Sequence, residues 1–226
     1  SNIMMSAVLA EGETILENSA CEPEVTDLAN YLNKMGARIS GIGTSRLVIK
    51  GVTSLNPSNY SIISDRIEAG TFAIAVLATT GHLRIENINP SFLESTMSHI
   101  KDAGAEIKIG DNFIDIKSGR RPKSVDATTA PHPAFPTDLQ AQLMASMCVA
   151  EGTSVISETI FENRFMHVPE LIRLGANIKV EGNTAIVKGV DRLFGAPLMA
   201  TDLRASASLI IAGLSAIGES VIDRIY

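Results

Sequence analysis

The chain has 226 residues, of which 45% are apolar and 19% are charged, enough to bury a core in one large domain or two small ones. This composition excludes an intrinsically disordered protein. The net charge of −6 argues against a nucleic acid or an anionic membrane surface as the main partner, because both would be repelled.

The sequence predicts a soluble, cytoplasmic protein. Cys21 and Cys148 show no spacing typical of a disulfide framework or a metal site, which favours a reducing compartment. The apolar stretch 3–10 lacks the basic region and the cleavage pattern of a signal peptide. The longest uncharged runs, residues 139–150 and 205–217, are too short to span a bilayer.

A repeat of about 70 residues organises the sequence. A run of small apolar residues that ends in glycine and continues into a strand-like segment occurs at Gly12, Gly81, Gly152 and Gly218. Two other markers keep the same phase. They are the Gly-Ala pairs at 36–37, 104–105 and 175–176 and the hydroxyl-acid pairs at 64–65, 137–138 and 201–202. Three markers with one period, longer than that of the usual solenoid repeats, indicate a repeated α/β module.

Each repeat is predicted to contain a buried helix, a strand, an amphipathic helix and a hairpin, in that order. The buried helices, rich in small and apolar residues, cover residues 65–80, 138–150 and 202–217. The strands that follow cover residues 14–17, 82–86 and 154–157. The hairpin strands are 38–40 with 47–52, 106–109 with 113–117, and 177–180 with 185–190. The predicted class is α/β (α+β), with βαβαββ units around buried helices.

The starts of the buried helices carry the candidate chemistry. If these helices run parallel, their N-termini meet at one end, where free amides and helix dipoles favour anions. Asp65, Asp138 and Asp202 each follow a hydroxyl residue at a helix start, a position typical of a capping aspartate. Asp138 differs, because three prolines within residues 131–136 stiffen the loop before it. A rigid loop that delivers one carboxylate suits a positioned acid or base.

Three runs of sequence closely resemble one enzyme family. TAPHPAFPTDLQAQ at 129–142, ENRFMHVPE at 162–170 and ATDLRASAS at 200–208 are similar to the UDP-N-acetylglucosamine enolpyruvyl transferases, which take the first committed step of bacterial peptidoglycan synthesis. The resemblance covers the whole chain. The shikimate-pathway enzymes of the same enolpyruvyl transferase (EPSP synthase-like) superfamily share the repeated fold without these runs.

The resemblance implies the inside-out α/β barrel fold of that superfamily: two domains of three βαβαββ units each, with the active site in the cleft between them. Residues 1–63 would be the last unit of the first domain, and residues 64–226 most of the second. Because both ends of the chain cut through a unit, we expect a piece of a longer protein that has no transferase activity by itself.

The family transfers the enolpyruvyl group of phosphoenolpyruvate to the 3′-hydroxyl of UDP-N-acetylglucosamine and releases phosphate through a tetrahedral intermediate. By resemblance, Asp138 is the aspartate proposed to deprotonate that hydroxyl. Thr137 would lie beside the sugar, and Ile160 would contact the uridine nucleotide. The expected partners are these two small molecules, with no nucleic acid and no membrane, and we expect no cofactor and no metal.

Arginines complete the site that the resemblance implies. Arg164 and Arg204 match arginines that line the cleft, where a guanidinium holds phosphate or carboxylate oxygens. Arg66, at the first helix start, is a further candidate of the same kind. The alternative for Arg164 and Arg204 is a structural ion pair with the neighbouring Glu162 and Asp202.

Several substrate-binding groups of the family fall outside this chain. Its reactive cysteine and a Lys-Asn pair would lie upstream of residue 1, and a further arginine would lie beyond residue 226. Cys148, in the middle of an apolar helix, and Cys21, beside Glu22 and Glu24, are not expected to replace that cysteine. The complete site would therefore need the missing domain.

Other polar residues favour ordinary structural roles. Three histidines have no partner at metal-ligand spacing: His82, His99 and His167. His132 is left open between loop packing and a role in the cleft. A basic cluster without interleaved aromatic residues is typical of a solvated turn rather than a nucleic-acid site: Lys117, Arg120, Arg121 and Lys123.

Two alternative functions stay open at this point. One is the shikimate-pathway enolpyruvyl transferase, which substrate binding would distinguish. The other is a repeat scaffold that binds a partner and catalyses nothing, although the stiffened Asp138 loop and the arginines at the helix starts argue against it.

Overall fold

A computed structural model describes residues 1–225, and its chain divides into two compact units. The first contains Ser1–Ser64 together with Pro131–Pro133, and the second contains Asp65–Ala130 and the chain from Ala134 onward. The boundary proposed from the sequence, between residues 63 and 64, lies one residue from this division. That the units belong to two different domains of a longer protein stays a prediction.

The first unit packs two helices against a small antiparallel sheet. Its elements are α1 Asn2–Val8, β1 Glu13–Glu17, α2 Pro23–Lys34, β2 Arg38–Ser40 and β3 Arg46–Lys50. The strand order is β1-β3-β2, with both neighbours antiparallel to β3. The core contains Met4, Val8, Leu32 and Ile49, so α2 is amphipathic as its apolar stripe predicts.

The first helix is buried on one face only. α1 buries Met4, Ala7 and Val8, but the side chains of Ile3 and Met5 are exposed. Only one face of this helix packs against β3, and the opposite face has no covering element within residues 1–225.

An extended segment follows β3 and is held against α2. The hydroxyl of Tyr60 donates to the Oδ1 atom of Asp27 over 2.7 Å, and the rings of Tyr60 and Tyr31 lie 5.1 Å apart. The amino group of Lys34 also donates to the carbonyl of Asn59. These contacts fix residues 59 and 60 on the first unit without regular secondary structure.

The second unit repeats one pattern and then begins it again. Its first part contains α3 Arg66–Thr79, β4 His82–Glu86, α4 Glu94–Asp102, β5 Glu106–Ile109 and β6 Phe113–Lys117. The next part contains β7 Ala127–Thr128, α5 Gln140–Met147, β8 Thr153–Ser157, α6 Val168–Arg173, β9 Asn177–Glu181 and β10 Thr184–Lys188. The last part contains β11 Leu193–Phe194, β12 Pro197–Met199, α7 Leu203–Ser215, β13 Ala216–Ile217 and β14 Val221–Asp223.

The strands pair in the way that the repeat predicts. β4-β6-β5 is an antiparallel sheet, and β8-β10-β9 is another, to which β7 adds in parallel beside β8. β11 pairs in parallel with β13, and β12 with β14. The parallel pair β7-β8 flanks α5, and the parallel pairs β11-β13 and β12-β14 flank α7. The α/β (α+β) fold class is confirmed.

Glycine ends the amphipathic helices at the Gly-Ala markers. Gly36, Gly104 and Gly175 have φ of +106, +101 and +93, a region that side chains with a Cβ rarely adopt. The amide of the following alanine then donates to the carbonyl five residues earlier, over 3.0 to 3.2 Å. These bonds satisfy carbonyls at the end of each helix.

Three helices form the core of the second unit, and only the middle one is buried on all sides. Every residue of α5 is buried, because α5 packs against both α3 and α7 as well as β8 and β10. By contrast, Phe72 of α3 and Leu203, Ile210 and Leu214 of α7 are exposed. The prediction of burial all round is therefore wrong for α3 and α7, because each keeps one face uncovered in residues 1–225.

The three core helices start at the same end of the unit. The amide of Gln142 donates to the Thr71 hydroxyl over 3.1 Å, and one turn later the hydroxyl of Ser146 donates to the carbonyl of Ile74 over 3.1 Å. These two bonds make α3 and α5 parallel. A contact between Asp138 and Arg204 places the start of α7 beside that of α5, as the repeat predicts.

Arg121 belongs to the structure rather than to a solvated turn, which corrects the interpretation of the basic cluster. Its guanidinium donates to the carbonyls of Val149, Ala150 and Val190 over 2.8 to 3.1 Å, and to the carboxylate of Asp191 over 2.8 Å. Carbonyls at a helix C-terminus lack partners within their own helix and favour a cation. Arg121 therefore ties the chain after α5 to the chain after β10.

Replacing this arginine should destabilise the chain measurably. We expect Arg121→Ala to lower the free energy of unfolding by about 2 kcal/mol, because it removes charged hydrogen bonds to backbone carbonyls. Arg120→Ala is the matched control: its side chain is exposed, and the change should stay within about 0.5 kcal/mol. Urea denaturation followed by circular dichroism checks both, and equal effects of the two variants would contradict this role.

None of the helices in residues 1–225 combines the length and the apolar character that crossing a membrane requires.

Candidate functional site

The aspartates at the three helix starts do not share one role. The carboxylate of Asp65 accepts from the amides of Ile67 and Glu68, and that of Asp202 accepts from the amides of Arg204 and Ala205. Both are N-caps. Asp138 makes no capping hydrogen bond, so the difference predicted from its proline loop is present in the structure.

The backbone before α5 explains why Asp138 does not cap. Residues Thr137–Leu139 form a single 3-10 turn after Pro136, and the amide of Leu139 donates to the carbonyl of Pro136 over 3.0 Å. The loop closes on itself where the amide of Ala130 donates to the carbonyl of Phe135, whose ring is buried. Asp138 thus lies inside the turn rather than at its N-cap position, which Pro136 occupies.

The carboxylate of Asp138 lies against two guanidinium groups. Its Oδ1 atom accepts from Arg164 over 3.0 Å and from the Nε and terminal nitrogens of Arg204 over 2.8 and 2.6 Å. Among residues 1–225, these hydrogen bonds all go to Oδ1 and none to Oδ2. The side chain of Asp138 is 31% exposed, so this carboxylate is only partly buried.

The same contacts correct the ion pairs that were the alternative for the arginines, while their role in ligand binding stays a prediction. Arg164 and Arg204 pair with Asp138, not with Glu162 or Asp202, their neighbours in sequence. Two guanidinium groups thus share one carboxylate. Such a cluster suits an anionic ligand, because a guanidinium binds phosphate or carboxylate oxygens through several N–H groups.

Each arginine is positioned by its own element. Arg164 lies in the turn before α6, and its guanidinium carbon is 4.7 Å from the centre of the Phe161 ring, a cation–π distance. Arg204 is in the first turn of α7, where its amide donates to the capping carboxylate of Asp202 over 2.8 Å. Arg66 occupies the first turn of α3 and is buried, and its role in ligand binding stays a prediction.

A buried carboxylate connects the two other predicted residues. Glu158 follows β8 and is 2% exposed. Its Oε2 atom accepts from the hydroxyl of Thr137 over 2.8 Å, and its Oε1 atom accepts from the amides of Ile160 and Phe161 over 2.8 and 3.2 Å. Thr137 and Ile160 are thereby held on either side of one side chain. No pattern in the sequence indicated Glu158.

Gln142 is a second residue whose position the sequence did not predict. Its side-chain amide donates to the carbonyl of Asp138 over 2.9 Å and to the hydroxyl of Thr71. It therefore holds the backbone of Asp138 against α3. The only signal in the sequence is a polar residue inside a helix rich in small and apolar residues, which tells nothing about its partners.

His167 is the buried residue directly before α6, and its ring centre lies 6.5 Å from that of Phe165. It is 3% exposed, and its Nε2 atom has no hydrogen-bond partner within residues 1–225. Burial lowers the pKa of His167 to about 4, with a smaller opposing effect of Asp202 and a smaller reinforcing effect of Arg164. The imidazole is therefore neutral at pH 7, and its burial fits the ordinary structural role predicted for His167.

Cys148, His82 and His99 make none of the hydrogen bonds to Asp138. Burial raises the pKa of the Cys148 thiol to about 12, which keeps it protonated and unreactive at neutral pH. His82 contacts Asp115 on the β4-β6 sheet, and the ring of His99 packs on Phe135. In the described part of the chain, no three His, Cys, Asp or Glu side chains are grouped to hold a metal ion.

Fold and site together define a class. The chain has βαβαββ units around parallel buried helices, with a carboxylate between two arginines at the helix starts. The family model of EPSP synthase (3-phosphoshikimate 1-carboxyvinyltransferase) matches residues 1–226. The chain belongs to this family.

The names of similar sequences specify one enzyme within this family. The chain is 60% identical over 226 residues to the UDP-N-acetylglucosamine 1-carboxyvinyltransferase of Shewanella amazonensis, and 58% identical to that of Coxiella burnetii. Each alignment covers all of this chain but only 54% and 52% of the relative. The chain thus spans about half the length of these relatives.

Solved structures share the fold. The enolpyruvyl transferase NikO from Streptomyces tendae superposes with a TM-score of 0.83 at 29% identity, over 96% of this chain and 52% of that one. An EPSP synthase from Acinetobacter baumannii superposes with a TM-score of 0.70 at 22% identity, over 99% of this chain and 55% of that one. The predicted enolpyruvyl transferase fold is confirmed.

Proposed function

We propose that the complete protein transfers the enolpyruvyl group of phosphoenolpyruvate to the 3′-hydroxyl of UDP-N-acetylglucosamine and releases phosphate. The observation that carries this proposal is the half-buried carboxylate of Asp138 between Arg164 and Arg204. A base and two cations side by side suit a hydroxyl acceptor and an anionic donor. The names of the relatives at 60% and 58% identity support this choice of substrates.

Asp138 acts as the base in the proposed reaction. The 3′-hydroxyl gives its proton to the free Oδ2 atom while its oxygen bonds to C2 of phosphoenolpyruvate, and C3 takes a proton from a group outside this chain. The tetrahedral adduct then loses a proton from C3 and releases phosphate, which restores the double bond. One hydroxyl proton is exchanged for the enolpyruvyl group, so the sum balances with inorganic phosphate as the second product.

The arginines bind the anionic parts of the substrates. In the absence of ligand, both guanidinium groups use N–H donors on the Oδ1 atom of Asp138. Each guanidinium has five N–H donors, so Arg164 and Arg204 keep others for phosphate or carboxylate oxygens. Arg66 at the start of α3 is proposed to add to the same positive field.

Thr137 and Ile160 are proposed to bind the acceptor. Thr137 precedes the base in sequence, which would place it beside the sugar hydroxyl that reacts. Ile160 is 38% exposed and offers an apolar surface to the uridine nucleotide. This reaction would serve peptidoglycan synthesis, and through it cell shape and division, in the cytoplasm.

The decisive experiment measures phosphate release from phosphoenolpyruvate by the full-length protein. Release that depends on UDP-N-acetylglucosamine is the expected result, and the 226-residue chain alone should release none. Release that depends instead on 3-phosphoshikimate would assign the protein to the shikimate pathway. If neither acceptor supports release, the protein is a non-catalytic scaffold and the proposal fails.

A further inference from the structure

Glu158 is the most highly connected buried side chain near the proposed site. Its carboxylate accepts four hydrogen bonds: from the hydroxyls of Thr129 and Thr137, both over 2.8 Å, and from the amides of Ile160 and Phe161. A carboxylate that is 2% exposed is costly to bury unless such donors surround it. The four donors therefore hold the Glu158 carboxylate in one defined position.

The backbone around Glu158 is held as firmly as its side chain. Its amide donates to the carbonyl of Asn183 over 2.8 Å, and the side-chain amide of Asn183 donates back to the carbonyl of Glu158 over 3.1 Å. Thr159 donates its amide to the hydroxyl of Thr129 over 2.9 Å. Glu158 is thus anchored on the turn between β9 and β10, a rigid point outside the proline loop.

The two ends of the carboxylate contact two different segments of the site. Oε1 holds the turn at 160–161, whose Ile160 is proposed to contact the nucleotide. Oε2 holds Thr137, the residue before the proposed base. Among the described residues, no other side chain hydrogen-bonds to both segments.

We infer that Glu158 is a positioning residue. Its carboxylate sets the distance between Thr137, next to the proposed base Asp138, and the turn at Ile160 that is proposed to contact the nucleotide. The inference rests on the proposed function, since it concerns the acceptor side of that same site. Misplacement of a reacting group by 1 Å lowers a rate by about 100-fold. Loss of the Glu158 carboxylate, which connects the two segments, would therefore lower the reaction rate.

The geometry predicts which substitution restores function. Two backbone amides donate to Oε1 and cannot reverse, so a glutamine at 158 must place its carbonyl oxygen there. Its NH₂ group then faces the Thr137 hydroxyl, which can turn to accept instead of donate. Glu158→Gln can keep both segments in place, whereas Glu158→Ala loses them both.

Kinetics of the full-length protein test this inference. For Glu158→Ala we expect a KM for UDP-N-acetylglucosamine at least about tenfold higher and a kcat/KM about 100-fold lower, with the KM for phosphoenolpyruvate changed less than about twofold. The kcat/KM of Glu158→Gln should lie within about fivefold of that of the parent. If the Ala variant does not fold, Glu158→Asp, one methylene shorter, replaces it. The matched control is Glu170→Gln, since Glu170 also accepts a backbone amide, from Met199 over 2.9 Å, and its kinetics should stay unchanged.

Two kinetic outcomes would overturn the inference: a Gln variant as impaired as Ala, which would assign the role to charge, or equal effects on both KM values.

Hydrogen exchange in the 226-residue chain gives a test that needs no activity. Glu158→Ala should speed exchange of the Ile160 and Phe161 amides at least about tenfold while the amides of β10 stay protected. Unchanged exchange would refute positioning even if the transferase activity is found. Faster exchange without any activity would refute the proposed function alone.

Discussion

Asp138→Asn in the full-length protein should lower kcat by about 10³-fold, within the range that a general base contributes. Asparagine has nearly the same shape but cannot accept the hydroxyl proton, so the acceptor oxygen must attack without losing it. Asp138→Ala should have at least as large an effect. Initial rates of phosphate release at saturating concentrations of both substrates measure it.

The fold should survive this substitution, because Asp138 does not cap a helix. Its loss leaves Arg164 and Arg204 without their shared partner, but both side chains have exposed surface through which water can replace the carboxylate. We therefore expect the circular dichroism spectrum to be unchanged. A decrease in kcat without loss of secondary structure would separate a chemical role from a structural one.

The repeat supplies a matched control. Asp65 occupies the equivalent position at the start of α3 and caps that helix through the amides of Ile67 and Glu68. Asparagine is as good an N-cap as aspartate, so Asp65→Asn should leave both stability and turnover near those of the parent. Near-normal turnover of Asp138→Asn would exclude Asp138 as the base.

Local pattern predicted the elements of the fold well where a hairpin or a period was present. Four strands begin and end at the residues the sequence indicated: 38–40, 82–86, 106–109 and 113–117. The two-residue strands β7, β11 and β13 were missed, since two residues show no alternation. β13 corrects the predicted helix 202–217, which ends at Ser215. The exposed faces of α3 and α7 were also missed, because small apolar side chains look alike whether or not another element covers them.

The site was predictable only in part, for a related reason. The proline loop and the helix start identify Asp138 as unusual within one stretch of sequence. Its partners Arg164 and Arg204 lie 26 and 66 residues further on, so only the resemblance suggested them. Glu158 carries no local signal at all, because its importance comes from four donors that the folded chain brings to one carboxylate.

Acidification should destabilise the chain through His167. In the unfolded chain an imidazole titrates near pH 6.5, whereas burial lowers the pKa of His167 in the folded chain to about 4. Between these values the unfolded state binds more protons than the folded state, so the free energy of unfolding falls as the pH falls. This contribution is fully present above pH 6.5 and lost by about pH 4.

The expected loss over that window is about 3 kcal/mol, from about 1.4 kcal/mol for each pH unit between the two values. His167→Phe keeps an aromatic ring in the buried position and cannot be protonated, so its stability should depend less on pH by this amount. Carboxylates titrate in the same range and affect both proteins, so the difference between the two curves isolates His167. Urea unfolding at pH 4.5 to 7.5, followed by circular dichroism, measures both.

The exposed histidine gives the control: His82→Gln retains His167, so its free energy of unfolding should change with pH as that of the parent does. Parallel curves for the parent and His167→Phe would show instead that the buried imidazole is protonated without cost, which would contradict the lowered pKa.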